Sequence, residues 1–237
     1  MSENDFIKYL KDIGISLSEK QLNQFRDYAN YLLEYNKHTN LTAIRNIGDV
    51  YLKHFYDSLL ICKFYKFNNE SVLDIGSGAG FPGVPLKIIF PNIKLTLLDS
   101  NGKKTRFLET LKEKLNIDYI VINDRAENFV KASRERFDIV TSRAVTSMPV
   151  LAELSLPFVK LGGMFIPYKG NLDDSIENGI FAIETLGGEI KTIEQAELPL
   201  EKSIRNFVFV IKKCKSDDIY PRMFDKINKK PLQKLTK

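Results

Sequence analysis

Residues Val72–Leu86 read VLDIGSGAGFPGVPL, and Gly76, Gly78, Gly80 and Gly83 crowd the part that follows its apolar start. Glycines after a strand-like run allow unusual turns and let bare backbone approach a ligand closely. Two kinds of nucleoside ligand use such a loop. A dinucleotide asks for Gly-x-Gly-x-x-Gly, with its pyrophosphate on the N-terminus of the next helix. Here the spacing is the tighter Gly-x-Gly-x-Gly, and Pro82 and Pro85 withhold N–H groups where a phosphate would need them. Asp99, at the end of a second apolar run about twenty residues on, can accept hydrogen bonds from ribose hydroxyls of either ligand.

The loop needs a sheet to hold it. SVLDIG, IKLTLLDS, YIVIND, FDIVTSRA and GMFIPYKG are strand-like, and amphipathic stretches such as KKTRFLETLKEKLNI and MPVLAELSLPFVKLGG lie between them. That alternation predicts βαβ units and a parallel sheet covered on both faces, an α/β Rossmann-like fold with right-handed crossovers. Ligands in such sheets sit beyond the carboxyl ends of the strands, which is where the glycine loop falls. GEIKTIEQAEL and SIRNFVFVIKK then follow one another with only a short turn at Pro199. They predict a C-terminal antiparallel β-hairpin that adds antiparallel strands to one side of the sheet. A plain dinucleotide domain lacks this addition, whereas class I S-adenosylmethionine-dependent methyltransferases have it. The loop spacing and the hairpin together favour S-adenosyl-L-methionine as cofactor.

Residues 1–68 form an N-terminal helical extension, 69–215 the cofactor-binding core and 216–237 a basic C-terminal segment, the whole being one globular unit. Ser18 and Gln21 make a capping box for a helix whose Leu22, Phe25, Ala29, Leu32 and Leu33 share an apolar face. Tyr28, Tyr31 and Tyr35 form a second stripe, suited to stacking on bases or, by preference, to packing on a neighbouring helix. A further helix is expected from about Asp49 to Phe64. The 237 residues are 43% hydrophobic, enough for a proper core. No run of apolar residues spans a membrane and the polar start is no signal peptide, so the expected location is cytoplasmic; a monomer is expected, although no sequence feature reveals the oligomeric state. Cys62 and Cys214 are far apart, and with His38 and His54 they give no zinc spacing, so buried free thiols and no metal are expected. The net charge of +5 is concentrated in residues 202–237, which hold eleven Lys/Arg against three Asp/Glu. That cluster is either an electrostatic footprint for nucleic acid or a solvated tail.

NLTAI, KHFYDSLL, LDIGSGAGFPGVPL, DRAE, SRAV, LGG, YKG and YPR occur in the order found in the RsmG (GidB) family, which this chain resembles from Asn40 to about Leu232. The resemblance implies a bacterial small-subunit rRNA methyltransferase acting on N7 of guanosine 527 in 16S rRNA. The partner implied is 16S rRNA, the small ribosomal subunit or its assembly precursor. The resemblance places Gly76, Gly78 and Phe81 against the cofactor. Asp99, Ser100 and Asn101 then fall at its ribose, Ala126 and Glu127 at its adenine, and Arg143 at the mouth of the site. Arg222, Lys229 and Lys230 of the basic segment are expected on RNA. Other roles stay open for three residues. Glu127 can serve a helix macrodipole, Arg143 a surface ion pair, and Lys169 either an RNA contact or strand-end solvation. Where the family usually carries glycine and proline after YPR, this chain has Met223, Phe224 and Asp225.

Guanine N7 bears a lone pair and no proton, so its methylation needs alignment and no general base. A cation beside a purine that becomes cationic does not assist that step. Arg143 is therefore expected to position a phosphate, the guanine O6 or the cofactor carboxylate. Alternatives are a methyltransferase acting on another RNA site, a small molecule or a protein, a nicotinamide-dependent oxidoreductase, and an inactive RNA-binding module.

Overall fold

Within each central strand, successive apolar residues face opposite ways. In β1 (Ser71–Ile75) Val72 belongs to one buried cluster, while Leu73 and Ile75 belong to the other. In the last strand Phe207 and Phe209 share the first cluster, and Val208 and Val210 the second. A strand that is apolar on both faces can only be stable between two layers, and helices cover both sides here. The computed structural model describes residues 1–143, 146–170 and 176–234, without the side chains of Ile176 and Glu177. Ala144 and Val145 of the SRAV stretch lie outside the described residues.

The seven strands are β1, β2 (Lys94–Asp99), β3 (Ile120–Asn123), β4 (Phe137–Arg143), β5 (Val159–Lys169), β6 (Gly188–Leu198) and β7 (Ser203–Lys212). Their order is β3-β2-β1-β4-β5-β7-β6. β1 pairs in parallel with both β2 and β4, so the strand order reverses beside β1, where the glycine loop begins. β7 runs antiparallel to both β5 and β6. The expected hairpin is present, but only its second strand opposes the sheet, since β6 runs in the same direction as β5. The chain passes outward first and then turns back, with Leu200 and Lys202 at positive φ in the connection.

α1 (Glu3–Asp12) and α2 (Glu19–Thr39) each start with a capping box, Ser2 with Asp5 and Ser18 with Gln21. The tyrosine stripe of α2 packs inward: Tyr28 stacks on Phe81 and Tyr31 on Phe107, at centroid distances of 5.3 and 5.0 Å. The continuous helix expected after Asp49 is a composite. It consists of α3 (Ile47–Asp49), a π-helical stretch Val50–Tyr56, α4 (Asp57–Leu59) and a 3₁₀ turn Leu60–Lys63. The buried positions Val50, Tyr51, Leu52, Phe55 and Tyr56 follow the wider π turn and bring Lys53 and His54 toward the sheet. These helices share the first cluster with α5 (Gly83–Ile89) and α6 (Gly102–Leu115).

The opposite face carries α7 (Ala126–Ser133), α8 (Met148–Ser155) and α9 (Ile176–Thr185). The basic C-terminal segment also packs there through α10 (Phe224–Lys229), whose Ile227 is fully buried. Of the two cysteines, Cys62 is partly buried and its thiol is pushed up to about 12 by desolvation. Cys214 is exposed, contrary to the expectation of two buried thiols, because it follows the end of β7. Among the described residues no helix is long and apolar enough to cross a membrane, and no cluster of three metal-ligating side chains occurs.

Candidate active site

The glycine loop is held by hydrogen bonds from both ends. Gly76 and Ser77 N–H donate to the Leu98 carbonyl of β2 at 2.8 and 3.1 Å. Gly78 N–H donates to Asp99 Oδ2 at 2.9 Å, and Asn101 N–H to Asp99 Oδ1 at 2.8 Å. Asp99 thus braces the loop and the start of α6, yet a carboxylate with about four lone-pair sites keeps acceptor capacity toward a ligand. The four glycines divide by purpose. A Cβ on Gly78 would meet only the Gly76 carbonyl, at 3.9 Å, so this part of the loop is open. A Cβ on Gly80 would come within 2.7 Å of the Tyr28 hydroxyl and Val84, and one on Gly83 within 2.7 Å of Leu97 and 2.9 Å of Asp74. The GFPG ending is therefore a packing joint to α2 and β2.

Beyond the carboxyl ends of β1, β2 and β4 lies a cleft of about 550 Å³. Gly76, Asp99, Ser100, Ala126, Glu127 and Arg143 all line it, so six of the nine residues expected at the cofactor meet in one place. Gly78 and Asn101 lie outside the lining: Gly78 N–H holds Asp99, and the Asn101 side chain caps α6 at Lys103 N–H. Phe81 lies outside the lining. Its ring is 6% exposed, stacked between His54 (4.2 Å) and Tyr28 (5.3 Å). Ile75, Leu98, Lys104, Asp124, Arg125, Leu154 and Phe224 complete the lining; Asp124 and Arg125 belong to the DRAE stretch, while nothing in the sequence singles out Lys104, Leu154 or Phe224 for it.

Arg143 ends β4 and turns toward the N-terminal extension. Its Nη1 donates to the Lys53 carbonyl and to Asp57 Oδ2, both at 3.0 Å. Nη2 lies 3.1 Å from His54 Nδ1, and the guanidinium carbon sits 5.2 Å from the centroid of the Phe81 ring. Asp57 Oδ1 accepts from Arg205 Nε of β7 at 2.7 Å, so one nearly buried carboxylate joins two arginines. Because arginine only donates, His54 Nδ1 must be the acceptor, which leaves Nε2–H to donate to Thr42 Oγ1 at 3.0 Å. Burial and the Arg143 charge agree with that neutral tautomer by pushing the His54 pKa down to about 3. Thr42 belongs to the NLTAI stretch and His54 and Asp57 to KHFYDSLL, and nothing in their local sequence marks the three for the site.

Two more acidic groups bear on the site. Asp74 is fully buried, its pKa is raised to about 7 by desolvation, and only Oδ2 is used, by Gly83 N–H. Its Oδ1 and the hydroxyl of buried Ser77 have no hydrogen-bond partner. Glu127, in the first turn of α7, is 6% exposed and accepts from Phe224 N–H at 3.3 Å.

The residues expected on RNA are disposed differently. Lys229 and Lys230 are exposed at the end of α10. Lys169, at the end of β5, donates to the Thr146 carbonyl. Arg222 is engaged by the fully buried Glu153, accepting from its backbone N–H at 2.9 Å and its guanidinium at 2.7 and 2.6 Å. This buried partner fixes Arg222 as the anchor of the C-terminal segment.

The family model rRNA small subunit methyltransferase G (GidB) matches residues 21–204. Ribosomal RNA small subunit methyltransferase G of Bacillus cereus (strain B4264) is 46% identical over 239 residues, covering 99% of this chain and 100% of the relative. The protein of the same name from Oceanobacillus iheyensis is 47% identical over 238 residues, covering 98% and 100%. Among solved structures, a methyltransferase from Pyrococcus furiosus has a TM-score of 0.54 at 17% identity, over 67% of this chain and 81% of that one. M. jannaschii TYW2 in complex with AdoMet has a TM-score of 0.51 at 17% identity, over 62% and 69%. Those two likenesses are of fold, an α/β methyltransferase sheet. The chain belongs to the rRNA small subunit methyltransferase G family.

Proposed function

We propose that this protein transfers a methyl group from S-adenosyl-L-methionine to N7 of guanosine 527 in the 16S rRNA of the small ribosomal subunit. The observation that carries the reading is the single cleft in which the glycine loop, Asp99, Glu127 and Arg143 converge at the strand-order reversal. The residues present fit the cofactor. Asp99 and Glu127 offer carboxylate acceptors some distance apart along the lining, and Gly78 leaves open space beside the loop. Behind the lining, Asp74 Oδ1 of β1 and Ser77 Oγ of the loop are buried without partners. Gly76, Asp99, Ser100, Ala126 and Glu127 would hold it, with Gly78, Phe81 and Asn101 supporting them. When bound, the cofactor supplies an electrophilic methyl group on a sulfonium sulfur.

The chain's own contribution is positioning. Guanine N7 has no proton to lose, so the carboxylates of the cleft are free to act as binding groups. Arg143 is held by three partners and cannot swing, which makes it a fixed donor surface at the inner wall. Asp57 supplies a counter-charge beside it, tempering the cation near the purine. With Arg205 the cluster keeps an excess of one positive charge, attractive to phosphate. The exposed Lys229 and Lys230 extend that attraction to the rRNA, and a base reached this way must be exposed or unstacked. The location consistent with this substrate is the cytoplasm of a bacterium.

The test incubates the protein with labelled S-adenosylmethionine and either naked 16S rRNA or assembled small subunits. N7-methylguanosine mapped to position 527 is the expected product. Label at another nucleotide, on a metabolite or on protein would overturn the assignment.

A further inference from the structure

The C-terminal segment contributes more to the cleft than charge. Phe224 lines the cleft beside Leu154 and Arg125, whose guanidinium carbon lies 5.9 Å from the centroid of the Phe224 ring. Its backbone N–H donates to Glu127, the carboxylate of the same wall. The segment is fastened on both sides of this ring. Before it, Arg222 is clamped on Glu153, which is fully buried, and Arg134 donates to the Tyr220 carbonyl. After it, Ile227 is buried in the cluster of α7 and α8. Releasing Arg222 would strand a buried carboxylate, so the anchor is firm.

Such a wall has a definite chemical preference. It combines an aromatic face, the apolar side chains of Ala126 and Leu154, and a nearly buried carboxylate acceptor. Asp99 stands in the same lining, on the next strand, with acceptor capacity for vicinal hydroxyls. An aromatic face with an adjacent acceptor suits a planar base that carries an exocyclic amine, and the hydroxyl site suits its ribose. Resting on the reading of the cleft as the S-adenosylmethionine site, we infer that Phe224 is a cofactor-binding residue: its ring walls the adenine, and the strap from Tyr220 to Lys230 forms one side of the nucleoside pocket. The basic segment is thereby part of the cofactor site as well as a surface for RNA.

The chain contains no tryptophan, so a Phe224→Trp variant carries a single indole, excitable apart from the tyrosines, at the proposed contact. Its emission should shift on addition of S-adenosylhomocysteine. In calorimetry, Phe224→Ala should weaken both S-adenosylhomocysteine and free adenosine by about tenfold or more, the scale of one base–aromatic stack. Phe224→Tyr should restore both. A strap that merely stabilises the fold would lower the melting temperature of Phe224→Ala without changing the Phe224→Trp emission, and that result overturns the proposal. Equal affinities of Phe224→Ala and the unmodified protein overturn it as well, while leaving the cofactor reading in place. Failure of the unmodified protein to bind S-adenosylhomocysteine would instead remove the reading on which the proposal rests.

Discussion

At the scale of single residues, the site is governed by which groups carry charge out of contact with water. His54 and Asp74 both stand near Arg143, and their pKa values move in opposite directions, to about 3 and about 7. Each shift is a statement about stability. His54 takes up a proton more readily unfolded than folded, so its contribution is present above about pH 6.5 and is lost as pH falls toward 3. Asp74 is the reverse. Its folded form holds a proton that the unfolded chain releases above about 3.8, so its contribution is present below that pH and is lost as pH rises through about 7. Between about pH 5 and 6.5 the two slopes oppose each other and largely cancel. Replacing His54 by Gln removes one slope. Relative to the unmodified protein, the variant should gain up to about 1.4 kcal/mol of stability for each unit of acidification in that window, read by urea denaturation. Parallel stability curves for the two proteins would show that His54 is not held neutral. The glycines, Asp99 and Arg143 were legible at this scale because each sits at the end of an apolar run, whereas Glu127 was placed only by the family resemblance of DRAE. His54 and Asp57 were not, because they act through Arg143, about 90 residues away in sequence, and nothing local distinguishes them from a solvated helix face.

At the scale of elements, the glycine loop performs two tasks that one run of sequence conceals. Its first half starts at Gly76, which lines the cleft, and its second half is a close contact with Tyr28 of α2, whose hydroxyl donates to the Ala79 carbonyl. Gly78 and Gly80 are both at positive φ, +59° and +99°, so alanine strains the backbone at either position. The consequences should still differ. Gly78→Ala has room for its methyl group and should cost about 1–2 kcal/mol of stability, and it should weaken S-adenosylhomocysteine by shifting Asp99, which the Gly78 N–H holds. Gly80→Ala adds a clash at 2.7 Å with the Tyr28 hydroxyl and Val84. It should cost about 1–3 kcal/mol beyond that strain. Paired calorimetry and chemical denaturation test the division, and equal loss of stability in the two variants would refute it. Strand positions and the parallel core could be read from apolar alternation. The π-helical stretch and the direction of β6 could not, since both are settled by tertiary contacts: by Arg143 on the Lys53 carbonyl and by the insertion of β7 beside β5.

At the scale of the whole molecule, the concentration of positive charge in residues 202–237 loses some of its meaning once the chain is folded. Lys212 is fully buried, bonded to the Leu156 and Leu186 carbonyls, and desolvation lowers its pKa to about 8. Arg205 is bound to Asp57 and Arg222 to Glu153, so three cations of that tail serve the interior. A count of charges along the sequence cannot separate these from surface lysines, because burial depends on strand register and on partners far away. Lys229 and Lys230 remain at the surface. If they meet rRNA phosphates, each substitution by Ala should weaken binding by a similar factor on any RNA sequence. Each should also reduce the slope of log affinity against log salt by about one. Arg222→Ala should behave otherwise. It leaves Glu153 buried without a cation and should destabilise the fold by about 3–5 kcal/mol, with little change in the salt slope of the protein that remains folded. Measuring rRNA affinity at several salt concentrations alongside thermal unfolding separates the two groups. An Arg222 variant with normal stability and a reduced salt slope would mean that its guanidinium meets RNA, and the partition of the tail into anchor and footprint would then be wrong.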